Sequence, residues 1–272
     1  MLALGRLLAI ARSSNVRSTG IVVEMVEKLT TKDGYDLLHS ATGVLQQEFG
    51  WEIVGYKVGA TSAAVQQRVG LKEPFWGPIF NKVVQRSPAE AARFSISHDL
   101  IRGVEAEFAF HIKRDIVPRS TPYSVLELMT DYCSTVTPCV EVCASRVQLA
   151  VQASTPVLIG DTGNLTVVFP PSSLAQDALK VYHELKSTQT SFRLDGEQVS
   201  TGSGADVLGG PELSLQWFAN NVVNGDRQLT IREGEFVITG ATCGLVPITK
   251  PCYAKALFSG AFNCELNLAF RE

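Results

Sequence analysis

The closing stretch of the chain alternates strictly. Phe262, Cys264, Leu266, Leu268 and Phe270 fall on one face of an extended segment, and Asn263, Glu265 and Asn267 on the other. Such alternation demands a strand with one buried face. Residues 53–58, 104–112, 138–143, 236–239 and 253–258 read as further strands. Residues 186–200 read as a hairpin closed by Asp195-Gly196, a pair suited to a type I′ turn. Helical spacing governs residues 1–50, with Leu37, Leu38, Leu45 and Phe49 on the pattern and Gly34 and Gly43 interrupting it. Shorter helices follow: Ser62 caps one that Gly70 ends, Ser124 and Glu127 form a capping box before Leu126, Leu128 and Met129, and Pro211 opens one carrying Leu213, Trp217 and Val222. Residues 73–90, with Pro74, Gly77, Pro78 and Pro88, read mostly as loop. Helices early and strands late predict an α+β fold with a largely antiparallel sheet system, not a doubly wound one. The expected division is a helical N-terminal region, 1–50, and a main domain, 51–272.

The chain has 272 residues, 45% of them hydrophobic, enough for a sizeable core. A net charge of -3 and the lack of a basic stripe argue against nucleic acid. No apolar run approaches the roughly 18 residues of a membrane span. Cys133, Cys139, Cys143, Cys243, Cys252 and Cys264 include no Cys-x-x-Cys pair and read as free thiols in a reducing compartment. Residues 1–23 carry Arg6, Arg12 and Arg17 and no acid, a composition that fits a mitochondrial transit peptide. It equally fits an amphipathic helix with Leu4, Leu7, Leu8 and Ala11. The reading taken is a folded helix in a cytoplasmic protein, with mitochondrial import as the alternative.

Glu105-Ala106-Glu107 is the most informative triplet. Residues two apart on a strand share a face, so both carboxylates converge there among apolar neighbours. Taken alone, the pair reads first as the solvated face of an edge strand. Glu141 shifts that balance, since it is a lone acid in the apolar run Cys139-Val140-Glu141-Val142-Cys143. Arg146 is one partner for it; a cation shared with Glu105 and Glu107 is the other. Three carboxylates suit Mg²⁺ or Mn²⁺ rather than zinc and leave positions open for a chelating substrate. Lys57, hemmed in by Tyr56, Val58, Gly55 and Gly59, is either a strand-end lysine reaching solvent or a buried one near a metal, with a pKa lowered enough to trade protons. Gly202-Ser203-Gly204 and Gly209-Gly210-Pro211 lack phosphate-loop context and read as tight turns. His39, His98, His111 and His183 show no metal spacing, and no Gly-x-Ser-x-Gly elbow is present.

The order of these motifs resembles the 2-keto-4-pentenoate hydratase and 4-oxalocrotonate decarboxylase branch of the fumarylacetoacetate-hydrolase-like superfamily. The resemblance starts near residue 33 and runs to the C-terminus. It is carried by Gly55-Tyr56-Lys57-Val58-Gly59-Ala60-Thr61-Ser62 with Val65-Gln66-Gln67 and by Val104-Glu105-Ala106-Glu107-Phe108-Ala109-Phe110. Pro138-Cys139-Val140-Glu141-Val142 with Ser145-Arg146-Val147, then Asp161, continue it. Val207-Leu208-Gly209 with Pro211, Trp217, Ala219 and Asn220, and Gly234-Glu235-Phe236-Val237-Ile238-Thr239-Gly240-Ala241, complete it. The chain departs from the pattern at Gly103, Thr162, Gly210 and Leu38, where the family often has Arg, Asn, His and Gln.

The resemblance implies a mixed, largely antiparallel β-roll of the fumarylacetoacetase C-terminal-domain type, with 51–272 as the catalytic domain. It implies Mg²⁺ or Mn²⁺ on Glu105, Glu107 and Glu141, with Lys57 and Asp161 as catalytic residues. Thr61, Ser62, Arg146 and Thr239 are the implied substrate-binding residues. The implied partner is a small-molecule 2-oxo acid, and the implied state a homo-oligomer. The expected activity is hydration of 2-hydroxy-2,4-dienoates to 4-hydroxy-2-oxo acids, with Glu107 or Asp161 placing the water. Decarboxylation of oxalocrotonate or oxaloacetate, or hydrolysis of an acylpyruvate, would run through the same enolate. A non-catalytic scaffold is a weaker rival, having no use for a lysine beside an open metal site.

Overall fold

The computed structural model describes residues 1–87, 91–96, 100–148, 154–225 and 229–272; His98 and the end of the expected 73–90 loop lie outside them. The chain opens with α1 (Leu2–Ser13) and α2 (Thr31–Phe49). Thr30 and Asp33 cap α2 reciprocally, each side chain accepting the other's backbone N–H. Gly34 does not interrupt α2. A Cβ there would lie 2.8 Å from the backbone of Pro156, so the glycine lets another helix approach.

β1 (Ile53–Gly59) leads into α3 (Ala63–Val69), capped by Ser62 and ended by Gly70 at φ +72°. Then come β2 (Phe75–Phe80) and β3 (Val84–Arg86), where the prolines predicted loop. β2 survives because it is an edge strand, where Pro78 forfeits no ladder donor that the sheet needs. β4 (Ala92–Ser95) and the long β5 (Ile101–Ile112) follow. A single turn, α4 (Val125–Glu127), continues into a wider turn over Leu128–Tyr132 and delivers β6 (Cys133–Ala144). Next are α5 (Thr155–Asp161), β7 (Asn164–Phe169), β8 (Gln176–Asp177) and α6 (Ala178–Leu185). β9 (Gln189–Leu194) and β10 (Glu197–Ser203) form the expected hairpin, with Asp195 at φ +49° and Gly196 at φ +91° as a type I′ turn requires. α7 (Pro211–Phe218) buries Leu215 and Phe218; Trp217 packs partly buried against the core and Val222 beyond it is buried, while Leu213 is exposed. The chain closes through β11 (Phe236–Ile238), β12 (Val246–Pro247), β13 (Cys252–Ser259) and β14 (Asn263–Arg271).

Among the described residues these strands form two mixed sheets. The larger runs β2-β1-β11-β5-β6-β7-β3, with β12 on β5 and β8 on β6; the smaller runs β10-β9-β13-β14-β4. Only β1–β11, β3–β7 and β4–β14 pair parallel among them, so the system is mixed and largely antiparallel. One core lies between the sheets, where Phe108 meets Phe258 and Phe262. A second lies on the opposite face of the large sheet, where Leu8 of α1, Leu37 and Leu45 of α2 and Val157 of α5 cover Ala109, Cys139, Val167 and Ile238. The large sheet is therefore buried on both faces. A charged side chain entering the helix-covered face must find its partners inside the protein.

Candidate metal centre

β5 and β6 pair with Glu105 directly opposite Glu141 and Glu107 opposite Cys139. Because side chains two apart share a face, Glu105, Glu107, Cys139, Glu141 and Cys143 all leave the helix-covered face. Lys57 joins them from β1, in register with Ile238 of β11, which in turn faces Ala109 of β5. Its ammonium donates to Glu141 Oε1 at 2.9 Å, and Asn164 Nδ2 donates to the same oxygen at 2.9 Å. Glu141 is fully buried, and its Oε2 has no hydrogen-bond partner. Glu107 Oε2 accepts the Gly240 N–H at 2.8 Å, and Glu105 Oε2 accepts the Cys143 thiol at 3.3 Å.

Burial, then repulsion from Glu141, raises the pKa of Glu105 and, further, that of Glu107, on which Glu105 also acts. In the metal-free protein Lys57 holds its proton tightly. Burial pushes its pKa down, but Glu141, Cys143, Glu105 and Glu107 outweigh burial and hold it above the ordinary lysine range. Nor does it reach solvent, as a strand-end lysine would. One ammonium for three clustered carboxylates leaves net negative charge in a buried place.

The donor atoms of Glu105, Glu141 and Cys143 all lie within 4.8 Å of one another. Glu107 stands outside that group, held by Gly240. Beside the centre a cavity of about 310 Å³ is lined by Thr61, Ser62, Glu105, Gly240, Thr242 and Cys243, among others. Thr61 and Ser62 thus line the cavity, although Ser62 Oγ also accepts the Val65 N–H that caps α3.

Of the nine expected site residues only Thr61, Ser62 and Glu105 line this cavity; Lys57, Glu107 and Glu141 sit in the adjoining cluster, and Arg146, Asp161 and Thr239 are engaged elsewhere. Arg146 is 1% exposed and Asp161 4%, and they pair with each other at 3.3 Å. Arg146 also donates to the Asn164 carbonyl at 2.7 Å, and Arg12 of α1 donates to Thr162 Oγ1 at 2.8 Å. These cations, carboxylate and amide form an internal lattice behind Glu141. The partner of Glu141 is accordingly Lys57, not Arg146. Thr239 points back into the sheet, its hydroxyl donating to the Phe108 carbonyl at 3.1 Å. Sequence reasoning missed Asn164, Arg12 and the Gly240 N–H as contributors. Only Cys143 left a signal, its place two residues after Glu141 on the same strand.

Of the departures from the family pattern, Gly103 has a local cause and Thr162 stands in a conformation that favours the family's asparagine. A Cβ at Gly103 would lie 2.3 Å from the Val246 carbonyl, so β12 demands glycine there. Thr162 takes φ +60° and is held by Arg12, a conformation asparagine adopts more readily.

No family model matches the chain. Among curated proteins it is 31% identical over 230 residues to a 2-keto-4-pentenoate hydratase of Paraburkholderia xenovorans, covering 80% of this chain and 74% of that one. It is 31% identical over 209 residues to a 2-hydroxypent-2,4-dienoate hydratase of Pseudomonas putida, covering 73% and 88%. Among solved structures it resembles a Pseudomonas putida 4-oxalocrotonate decarboxylase complexed with magnesium and adipate, with TM-score 0.84 at 22% identity over 99% and 97% of the two chains. A Pseudomonas aeruginosa fumarylpyruvate hydrolase in complex with Mn²⁺ and pyruvate matches with TM-score 0.59 at 16% identity over 79% and 88%. The solved structures share the curled mixed-sheet fold; the curated relatives share enough sequence to go further. By that likeness the chain belongs to the 2-keto-4-pentenoate hydratase family.

Proposed function

We propose that this chain is a divalent-metal-dependent hydro-lyase that hydrates 2-hydroxy-2,4-dienoates to 4-hydroxy-2-oxo acids. The observation that carries the reading is the face-to-face pair of half-buried Glu105 and fully buried Glu141, with Glu141 Oε2 left unpartnered. A buried carboxylate oxygen without a donor fits a cation ligand. Glu105 and Glu141 would hold Mg²⁺ or Mn²⁺, with Glu107 as third carboxylate once it leaves Gly240.

The ion, when bound, supplies the positive charge that an enolate oxygen at C2 of the substrate needs. Lys57 then loses part of the attraction that keeps it protonated, while the burial opposing its charge remains. It is placed to carry the proton during ketonisation of the dienol. Thr61 and Ser62 line the space where the substrate's polar end would lie. Asp161 keeps its catalytic assignment only indirectly, by fixing Arg146 and through it the Asn164 that orients Glu141. Water placement then falls to Glu107 rather than Asp161.

A homo-oligomer belongs to this reading. The exposed Leu2, Ile10, Val16, Val22, Val23 and Met25 give the first 25 residues an apolar surface for it. All six cysteines are free, which fits a reducing compartment such as the cytoplasm. No helix among the described residues is long and apolar enough to cross a membrane.

The test is the product mass after incubation with 2-hydroxypenta-2,4-dienoate and Mg²⁺, with a chelator control. A metal-dependent gain of one water supports the hydratase. No change with this substrate, and loss of carbon dioxide from oxalocrotonate, would replace it with a decarboxylase using the same centre.

A further inference from the structure

Cys143 lies two residues beyond Glu141 on β6, so its side chain leaves the same face of the sheet. Its Sγ lies 3.3 Å from Glu105 Oε2, and the thiol is partly accessible where Glu141 is sealed. Two donors held about 2.0–2.3 Å from one ion are at most ~4.6 Å apart. The donor atoms of Glu105, Glu141 and Cys143 already lie within 4.8 Å of one another, so small rotations bring all three onto a single ion. An independent feature marks the same spot: Glu141 Oε2 is buried and has no partner. Carboxylate oxygens are hard donors and favour Mg²⁺ or Mn²⁺; a thiolate is soft and favours Zn²⁺, Cd²⁺ or Co²⁺.

We infer that the carboxylate centre is also a mixed oxygen–sulfur site, in which Cys143 Sγ joins Glu105 and Glu141 around thiophilic divalent ions and binds them in preference to Mg²⁺. The inference rests on the reading of this centre as a metal site. As the metal–sulfur bond forms, the thiol proton passes to water, and no redox change takes place. The ligand set then carries three negative charges. Thiophilic ions therefore compete with Mg²⁺ for one location instead of occupying a second.

The experiment titrates the metal-free full-length protein with Co²⁺ and follows sulfur-to-cobalt charge-transfer absorption in the near ultraviolet. Calorimetry with Cd²⁺ and Mg²⁺ runs in parallel, for the wild type and for Cys143→Ala, Cys143→Ser and Cys243→Ala. Cys243 is the control because it lines the adjoining cavity. The expected result is a charge-transfer band that saturates at one Co²⁺ per chain, is lost in both Cys143 variants and survives in Cys243→Ala. Cd²⁺ affinity should fall at least about tenfold in Cys143→Ala, with Mg²⁺ affinity changing less than about threefold. Co²⁺ bound without the band overturns the inference and leaves the carboxylate centre standing. A band that survives in Cys143→Ala overturns it in favour of another thiol. Failure of Co²⁺ to bind, or binding unaffected by Glu141→Gln, overturns the centre itself and this inference with it.

Discussion

Lys57 Nζ sits 2.9 Å from Glu141 Oε1, and both side chains are buried. The ammonium is thus the internal counter-ion of the carboxylate that also offers the centre its unpartnered oxygen. One side chain serves two purposes, and substitution separates them. Lys57→Met should lower kcat by about 10²–10⁴-fold, the usual range for a lost acid–base group. The metal-free protein should lose about 3–5 kcal/mol, because Glu141 keeps only Asn164 as a donor. Mg²⁺ affinity should rise, since no ammonium competes for Glu141. Calorimetry and steady-state rates check both halves. A weaker Mg²⁺ complex in Lys57→Met would place Lys57 among the groups that support the ion.

Removal of the ion makes a pH-dependent prediction. Glu105 and Glu107 have pKa values raised above 4.5 by burial and by Glu141. A carboxyl whose folded pKa is raised contributes its full stability below its unfolded pKa and loses it as pH rises through the folded value. From these two groups, metal-free protein should lose stability as pH climbs above about 4.5. Saturating Mg²⁺ should abolish that loss, and Glu107→Gln should reduce it without metal. Denaturant unfolding at several pH values, with and without chelator, measures this. An unchanged slope in Glu107→Gln would show that burial of this carboxylate is not what the metal-free fold bears.

The sheets were legible because period two needs only local sequence. The hairpin at Asp195-Gly196, the alternation of β14 and the shared face of Glu105 and Glu107 all follow from it. The opposition of Glu105 and Glu141 was not legible, because register is set by pairing across distant segments. The mutual pairing of Arg146 and Asp161 was not legible for a related reason. Their positions matched a motif, but where they point depends on Arg12 and Asn164, which reach them from elsewhere in the chain. β2 was hidden by Pro78, whose meaning changes at a sheet edge.

The Arg146–Asp161 pair should therefore act on stability more than on substrate binding. Asp161→Asn removes the carboxylate between two buried cations, and the Arg12 pKa is already lowered to about 9, by burial first and by Arg146 next. A loss of about 3–5 kcal/mol is expected. Arg146→Lys should lower the unfolding midpoint while KM changes little. A large rise in KM at unchanged stability would return Arg146 to the substrate.

His111 supplies the acid limb of stability. Its ring lies in the large sheet against Phe169 and Phe236, and Nε2 is 3.1 Å from Thr137 Oγ1. Burial first, and the charge of Arg86 second, lower its pKa from 6.5 to about 4. The folded protein thus resists a proton that the unfolded chain accepts. The contribution is complete above the unfolded value of 6.5 and declines as pH falls toward about 4. The full difference amounts to about 3 kcal/mol. Over the same range Glu105 and Glu107 act with the opposite sign in metal-free protein, so the total profile hides both. The difference between wild type and His111→Gln isolates the histidine. Gln keeps a hydrogen-bonding group near Thr137 but cannot take up the proton. The stability gap between the two proteins should shift by about 3 kcal/mol in favour of the variant between pH 7 and pH 4. A gap that stays constant across that range would mean His111 titrates alike in both states, and that acid sensitivity must come from other groups.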